Sequence, residues 1–79
     1  MTSETAITTL NLRGLKCPLP ALRVRKALAG ARVGDRLQVE CTDPMAAIDI
    51  PHLIGQTGDV VEEARHDGAV LHFLIRKAG

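Results

Sequence analysis

Apolar and polar positions along the chain recur with two different periods, and the switches between them mark six elements. Residues 6–12 are β-branched or aliphatic, and a period of two puts Thr8, Leu10 and Leu12 on one face and Ile7, Thr9 and Asn11 on the other. From Pro18 to about Ala29 the period changes: Ala21, Val24 and Leu28 fall at helical spacing, Arg23, Arg25 and Lys26 fill the remaining arc, and Gly30 ends the run. Gly34-Asp35 marks a turn into a second strand over residues 36–41, where Leu37, Val39 and Cys41 alternate with Gln38 and Glu40. Thr42-Asp43-Pro44 has the form of a helix start, with Asp43 as N-cap and Pro44 at the first position. That helix runs to about Gln56, and Pro51 is expected to kink it or divide it in two before Gly58 closes it. Two last strands, over residues 59–66 and 69–77, meet at Asp67-Gly68, a strong two-residue hairpin signal.

The order β-α-β-α-β-β predicts an α/β two-layer sandwich: a four-stranded mixed sheet with two helices on one face. A right-handed crossover should make the first two strands parallel. The opposite face is left to solvent or a partner, with Val70 and Leu74 as a small apolar patch. Seventy-nine residues suffice for one domain, spanning 1–79 with residues 1–5 as a flexible lead-in, and not for two cores. Phe73 is the one aromatic residue, so the core must be aliphatic.

A net charge of +1 gives no whole-protein case for nucleic acid or an anionic membrane as partner. No apolar stretch approaches the roughly 20 residues of a spanning helix, and the N-terminus lacks the pattern of a signal peptide. A soluble, cytoplasmic protein is expected. Cys17 and Cys41 are too few for a disulfide scaffold, and His52, His66 and His72 match no zinc-ligand spacing, so no metal site is expected.

The chemistry concentrates in Gly14-Leu15-Lys16-Cys17-Pro18-Leu19-Pro20. A residue before proline is pushed into extended backbone, which is also what an N-cap requires, so Cys17 reads as the cap of the first helix. Pro18 then takes the first helical position, and with Pro18 and Pro20 lacking amide protons the Leu19 N–H is the donor left to face the sulfur. The helix dipole and Lys16 both favour a thiolate. Such settings bring a cysteine pKa from about 8.5 to roughly 3.5–7.5. Cys41, set on the apolar face of its strand, reads as core packing instead.

Leu10-Asn11-Leu12-Arg13-Gly14-Leu15-Lys16-Cys17-Pro18-Leu19-Pro20, with Lys26 nine residues after the cysteine, resembles the signature of the TusA/SirA family of small sulfur-carrier proteins. Thr42-Asp43-Pro44, Asp49-Ile50 and the closing Phe73-Leu74-Ile75-Arg76-Lys77 extend the resemblance over nearly the whole chain from Leu10 onward. It implies that Cys17 accepts sulfane sulfur as a persulfide from a protein donor, a cysteine desulfurase or a rhodanese-like protein. The sulfur would pass to a protein acceptor, DsrE-like or part of a thiouridylase-linked relay, in tRNA thiolation, cofactor biosynthesis or sulfur oxidation. The resemblance implies no cofactor, and such a carrier is a sulfurtransferase-type monomer that docks transiently, not a multiple-turnover enzyme on a small substrate. The chain departs from the family at Asn11, where an aspartate is common.

The residues themselves agree, because Cys17 has no Cys-x-x-Cys partner with which to release a mixed disulfide in redox exchange. Arg13, Arg23 and Lys26 are candidate docking cations, each equally readable as a solvated charge. The alternative function is a non-catalytic regulatory or transporter-accessory interaction module, which would not need the thiol.

Overall fold

The computed structural model describes residues 7–78, so the lead-in of residues 1–5 and the first residue of the predicted opening strand lie outside the described residues. Six elements follow in the expected order: β1 (Ile7–Leu12), α1 (Leu19–Ala29), β2 (Arg36–Cys41), α2 (Ala46–Thr57), β3 (Val60–Asp67) and β4 (Val70–Arg76). The strands lie side by side as β1-β2-β4-β3. β1 and β2 are parallel, and the two other pairings are antiparallel.

Period-two alternation sorts the sheet into two faces. Leu12, Leu37, Val39, Cys41, Leu71, Phe73 and Ile75 are buried on one of them, with Val24 and Leu28 of α1 and Ala46, Ile50, Leu53 and Ile54 of α2 completing the core. Residues on the opposite face of β4, Val70, His72 and Leu74, are half-buried. Cys41 is buried among aliphatic neighbours, and its thiol is pushed up to about 11, chiefly by burial and secondarily by the Asp43 charge.

Three local expectations need correction. α2 is a single helix that continues through Pro51. The proline leaves the Ala47 carbonyl without its in-helix donor, but both residues are exposed, so water can take that bond while Ile50, Leu53 and Ile54 hold the other side down. α2 also starts at Ala46, with Met45 in the capping position, because tight turns from Asp43 to Ala46 and from Pro44 to Ala47 precede it. The hairpin closes one residue later than expected. Asp67 pairs with Val70, so Gly68 and Ala69 form the loop, and Gly68 supplies the positive φ (62°) that the tight turn needs.

β3 carries a feature the alternation did not reveal. Between the Val61–Ile75 and Glu63–Leu74 pairs, Glu62 is an extra residue, a bulge. Its carboxylate accepts bonds from Arg36 Nε (2.6 Å) and Arg76 Nε (2.9 Å), and these two guanidinium groups, Arg36 first, hold the Glu62 carboxyl below the usual range.

Candidate functional site

The parallel register of β1 and β2 assembles the site. Leu12 lies opposite Cys41 at the end of both strands, so the loops that follow, 13–18 and 42–45, leave the sheet side by side. Open α/β sheets bind and react at the carboxyl ends of parallel strands for this reason. Gly14, with φ +85°, turns the first loop back and gives its N–H to Thr42 Oγ1 at 2.9 Å. The Cys17 N–H is donated to Asp43 Oδ2, and the Met45 N–H to Asp43 Oδ1 at 3.1 Å. One carboxylate thus ties the cysteine loop to the entrance of α2. Between the loops lies a shallow depression of about 310 Å³, lined by Gly14, Leu15, Lys16, Thr42, Asp43 and Pro44.

Cys17 is exposed at the rim of this arrangement, but it is not the helix cap. α1 starts at Leu19 and Pro18 occupies the capping position (φ −98°, ψ 16°), with no side-chain capping bond. The Leu19 N–H, expected to face the sulfur, is donated to the Lys16 carbonyl at 2.8 Å in a turn that precedes the helix. Pro18 and Leu19 are exposed and Pro20 is buried, and the Cys17–Pro18 peptide bond is cis.

The thiol bonds elsewhere. Cys17 Sγ donates to Asp49 Oδ2 at 2.8 Å, from the first turn of α2. This bond, a small desolvation and the negative charges of Asp49 and Asp43 all raise the Cys17 pKa above its ordinary value of 9.0. The expected lowering is therefore reversed: two carboxylates act on the sulfur, and the Lys16 charge bears on Asp43 instead. The resting form is the neutral thiol.

Asp43 itself is held below the usual carboxylate range, mainly by the Cys17 N–H, then by the Met45 N–H, with Lys16 adding to both. A depressed folded-state value stabilises the loop above the ordinary value of 3.8, and that contribution is lost as pH falls through the folded value. The Cys17 and Met45 amide resonances should therefore move together in an acid titration followed by NMR, with a midpoint under 3.8. A midpoint at or above 3.8 would show that Asp43 does not hold the loop.

The three docking candidates separate. Arg13 is turned to β2, with NH2 3.3 Å from Glu40 Oε1 and Nε donating to Asn11 Oδ1 at 3.1 Å. Asn11 thus has a local structural job where the family commonly has an acid. Arg23 and Lys26 instead line a groove beside β1, away from the depression between the loops.

Sequence reasoning placed Thr42, Asp43 and Asp49 in the family pattern but gave none of them a role beside the thiol, and from its neighbours Asp43 read as a cap. It singled out Leu19 for its N–H and not its side chain, and left unnoticed Leu22, Met45 and Ile48; all four are large apolar side chains exposed on the first turns of α1 and α2 or just before them, the ends that carry Cys17 and Asp49. Leu22 lies off the Ala21–Val24–Leu28 stripe, and that displacement was a readable signal of exposure. Among the described residues no three metal-capable side chains gather, and no helix is long and apolar enough to cross a membrane.

Comparison with known proteins bears on this geometry. The family model described as Sulfurtransferase TusA matches residues 8–77. The chain is 41% identical over 69 residues, 87% of its own length and 91% of the relative's, to the sulfur carrier protein TusA of Allochromatium vinosum. Its fold is similar to the crystal structure of a SirA-like protein from Desulfitobacterium hafniense, with a TM-score of 0.78 over 92% of this chain and 99% of that one, at 24% identity.

Proposed function

This chain belongs to the TusA family, and from that premise we propose that it is a sulfur carrier holding sulfane sulfur as a persulfide on Cys17 and relaying it between proteins. The observation that carries the reading is the contrast between its two cysteines. Cys17 is exposed on a loop at the carboxyl ends of the parallel strands, while Cys41 is buried in the core. A carrier needs one reachable sulfur and no resolving thiol that would release the cargo as hydrosulfide.

In the loading step Cys17 Sγ attacks the outer sulfur of a donor persulfide. The new Sγ–S bond forms as the donor's own S–S bond breaks, the donor sulfur leaves with that electron pair, and the proton lost from Cys17 ends on the donor thiol. The products are Cys17–S–SH and a reduced donor, with no net oxidation. Delivery is the same exchange with an acceptor thiol as nucleophile.

Donor and acceptor are proteins. A cysteine desulfurase or a rhodanese-like donor, and a DsrE-like or thiouridylase-linked acceptor, fit the exposed apolar side chains Leu19, Leu22, Met45 and Ile48 at the helix starts and the cations Lys16, Arg23 and Lys26 further out. The chemistry belongs where thiols stay reduced, as in cytoplasm, and a monomer leaves the Cys17 loop open to both partners.

Incubation with a cysteine desulfurase and cysteine, or with a rhodanese and thiosulfate, should add about 32 Da, one sulfur atom, to the intact protein. Cys17→Ser should abolish the gain and Cys41→Ser should keep it. No gain with either donor system would remove the proposal, and function retained in cells by Cys17→Ser would favour a non-catalytic module.

A further inference from the structure

The two edges of the sheet are unlike. β3, at one edge, carries Glu62, Glu63, Arg65, His66 and Asp67 and is bent by the bulge at Glu62, devices that keep other strands from adding to it. β1, at the other, reads Ile-Thr-Thr-Leu-Asn-Leu, with no charge and no proline, and no strand lies on its outer side among the described residues. Ile7 on it is 62% exposed. Among the described residues the outward-facing main-chain groups of this six-residue strand, about 20 Å of edge, meet no further strand.

Beside this edge, between β1 and α1, runs a groove of about 720 Å³. Leu10 and Leu12 of β1 contribute apolar lining, while Arg23 and Lys26 of α1 line it with positive charge and Asp35 contributes one acid. Neither Arg23 nor Lys26 has a carboxylate partner among the described residues. An exposed strand edge, an apolar trough and a helix carrying specificity groups along its rim are the components of strand-addition sites for extended peptides.

We propose that β1 and α1 form a docking edge for an extended, acid-bearing segment of a partner protein, which adds to β1 as a fifth strand, seats an apolar side chain in the groove and sets a carboxylate on Arg23 and Lys26. Charge selects this occupant over a second copy of the chain. Two copies joined edge to edge through β1 would bring together two sets of Arg23 and Lys26, a like-charge juxtaposition that one Asp35 in each groove does not balance. The docking edge leads through the loop 13–16 directly into Cys17, so a partner held here has the thiol within its own footprint. This goes beyond persulfide transfer and does not depend on it.

The test uses the isotopically labelled full chain and a terminally blocked peptide, Glu-Val-Thr-Val-Glu-Val, as probe. The expected result is that amides of Ile7–Leu12 shift, and that those pointing away from β2 gain protection from hydrogen exchange, while those of β3 do neither. The double variant Arg23→Glu/Lys26→Glu, whose two positions are exposed, should fold normally and bind the peptide about tenfold or more weaker. A peptide with lysine in place of glutamate should not bind. The proposal is overturned if the acidic peptide leaves the outward-facing β1 amides unchanged, if the double variant or the lysine peptide binds equally well, or if those outward-facing amides, as distinct from the ones already bonded to β2, are protected in the free chain. In that last outcome, sedimentation showing a dimer would assign the edge to a second copy, and loss of protection on deleting residues 1–6 would assign it to the chain's own leading segment. Because no sulfur donor is present, a failure of persulfide loading leaves the outcome readable.

Discussion

Asp49→Asn is expected to speed alkylation of Cys17 by iodoacetamide near neutral pH, by about three- to fourfold for each unit that the thiol pKa falls, a roughly tenfold rise in thiolate fraction set against its lower nucleophilicity. The alkylating species is the thiolate, and the fraction present at neutral pH falls as the pKa rises. In the native protein Asp49 accepts the S–H bond at 2.8 Å and repels the anion that loss of the proton would create, so it acts twice in the same direction. Asparagine keeps the shape and an acceptor oxygen but removes the negative charge. The midpoint of the rate–pH curve should therefore move down, towards the ordinary value of 9.0. Some elevation remains, because Asp43 still faces the loop and the Lys16 charge bears mainly on Asp43. The plateau at high pH should fall slightly, since a less basic thiolate is a weaker nucleophile. An unchanged midpoint would mean that Asp49 does not govern the thiol. The same charges keep the resting thiol neutral, and a neutral thiol is poorly reactive towards electrophiles and oxidants.

What could be read from the chain beforehand divides along the range of the interactions involved. β2 was legible to the residue, because Leu37, Val39 and Cys41 alternate without interruption and a central strand has one face that must be buried. α1 was legible to within a residue, as were the mixed sheet and its parallel first pair, since the β-α-β order constrains the crossover; the order β1-β2-β4-β3 was not read beforehand. Cys17 could be found from its neighbours, but its electrostatics could not. Local rules weigh Lys16 and the helix start, both cationic in effect. The decisive group, Asp49, arrives from 32 residues away, and only the parallel pairing of Leu12 with Cys41 makes the two loops neighbours. The Glu62 bulge escaped notice for a related reason: an extra residue in a strand shows in its partner's register, which alternation along one strand does not contain. Pro51 misled in the opposite direction, because the helix rule weighs a lost bond and the burial of Ile50, Leu53 and Ile54 outweighs it.

Ile50→Ala is expected to cost about 2–5 kcal/mol, the usual range for truncating a fully buried aliphatic side chain to alanine. Ile50 has no exposed surface and lies at the centre of the contact between α2 and the sheet. With a domain this small, one kcal/mol moves the thermal midpoint by about 4–8 °C, so the loss should be roughly 10–40 °C. Ile48, two residues away and 65% exposed, provides the control: its alanine variant should stay within about 0.5 kcal/mol of the native protein. The comparison also tests how the fold holds the site. Asp49 sits between these two residues, and its carboxylate is aimed at Cys17 only while the first turn of α2 is pressed onto the sheet. In the folded fraction of Ile50→Ala, loosening of that turn should withdraw Asp49 and shift the alkylation midpoint of Cys17 downward, in the same direction as Asp49→Asn though less far. Ile48→Ala should leave that midpoint unchanged. Thermal unfolding together with the alkylation profile separates the two effects, and a destabilised Ile50→Ala with a native midpoint would show that the thiol–carboxylate pair is positioned by the Asp43 tie between the loops and not by the packing of α2.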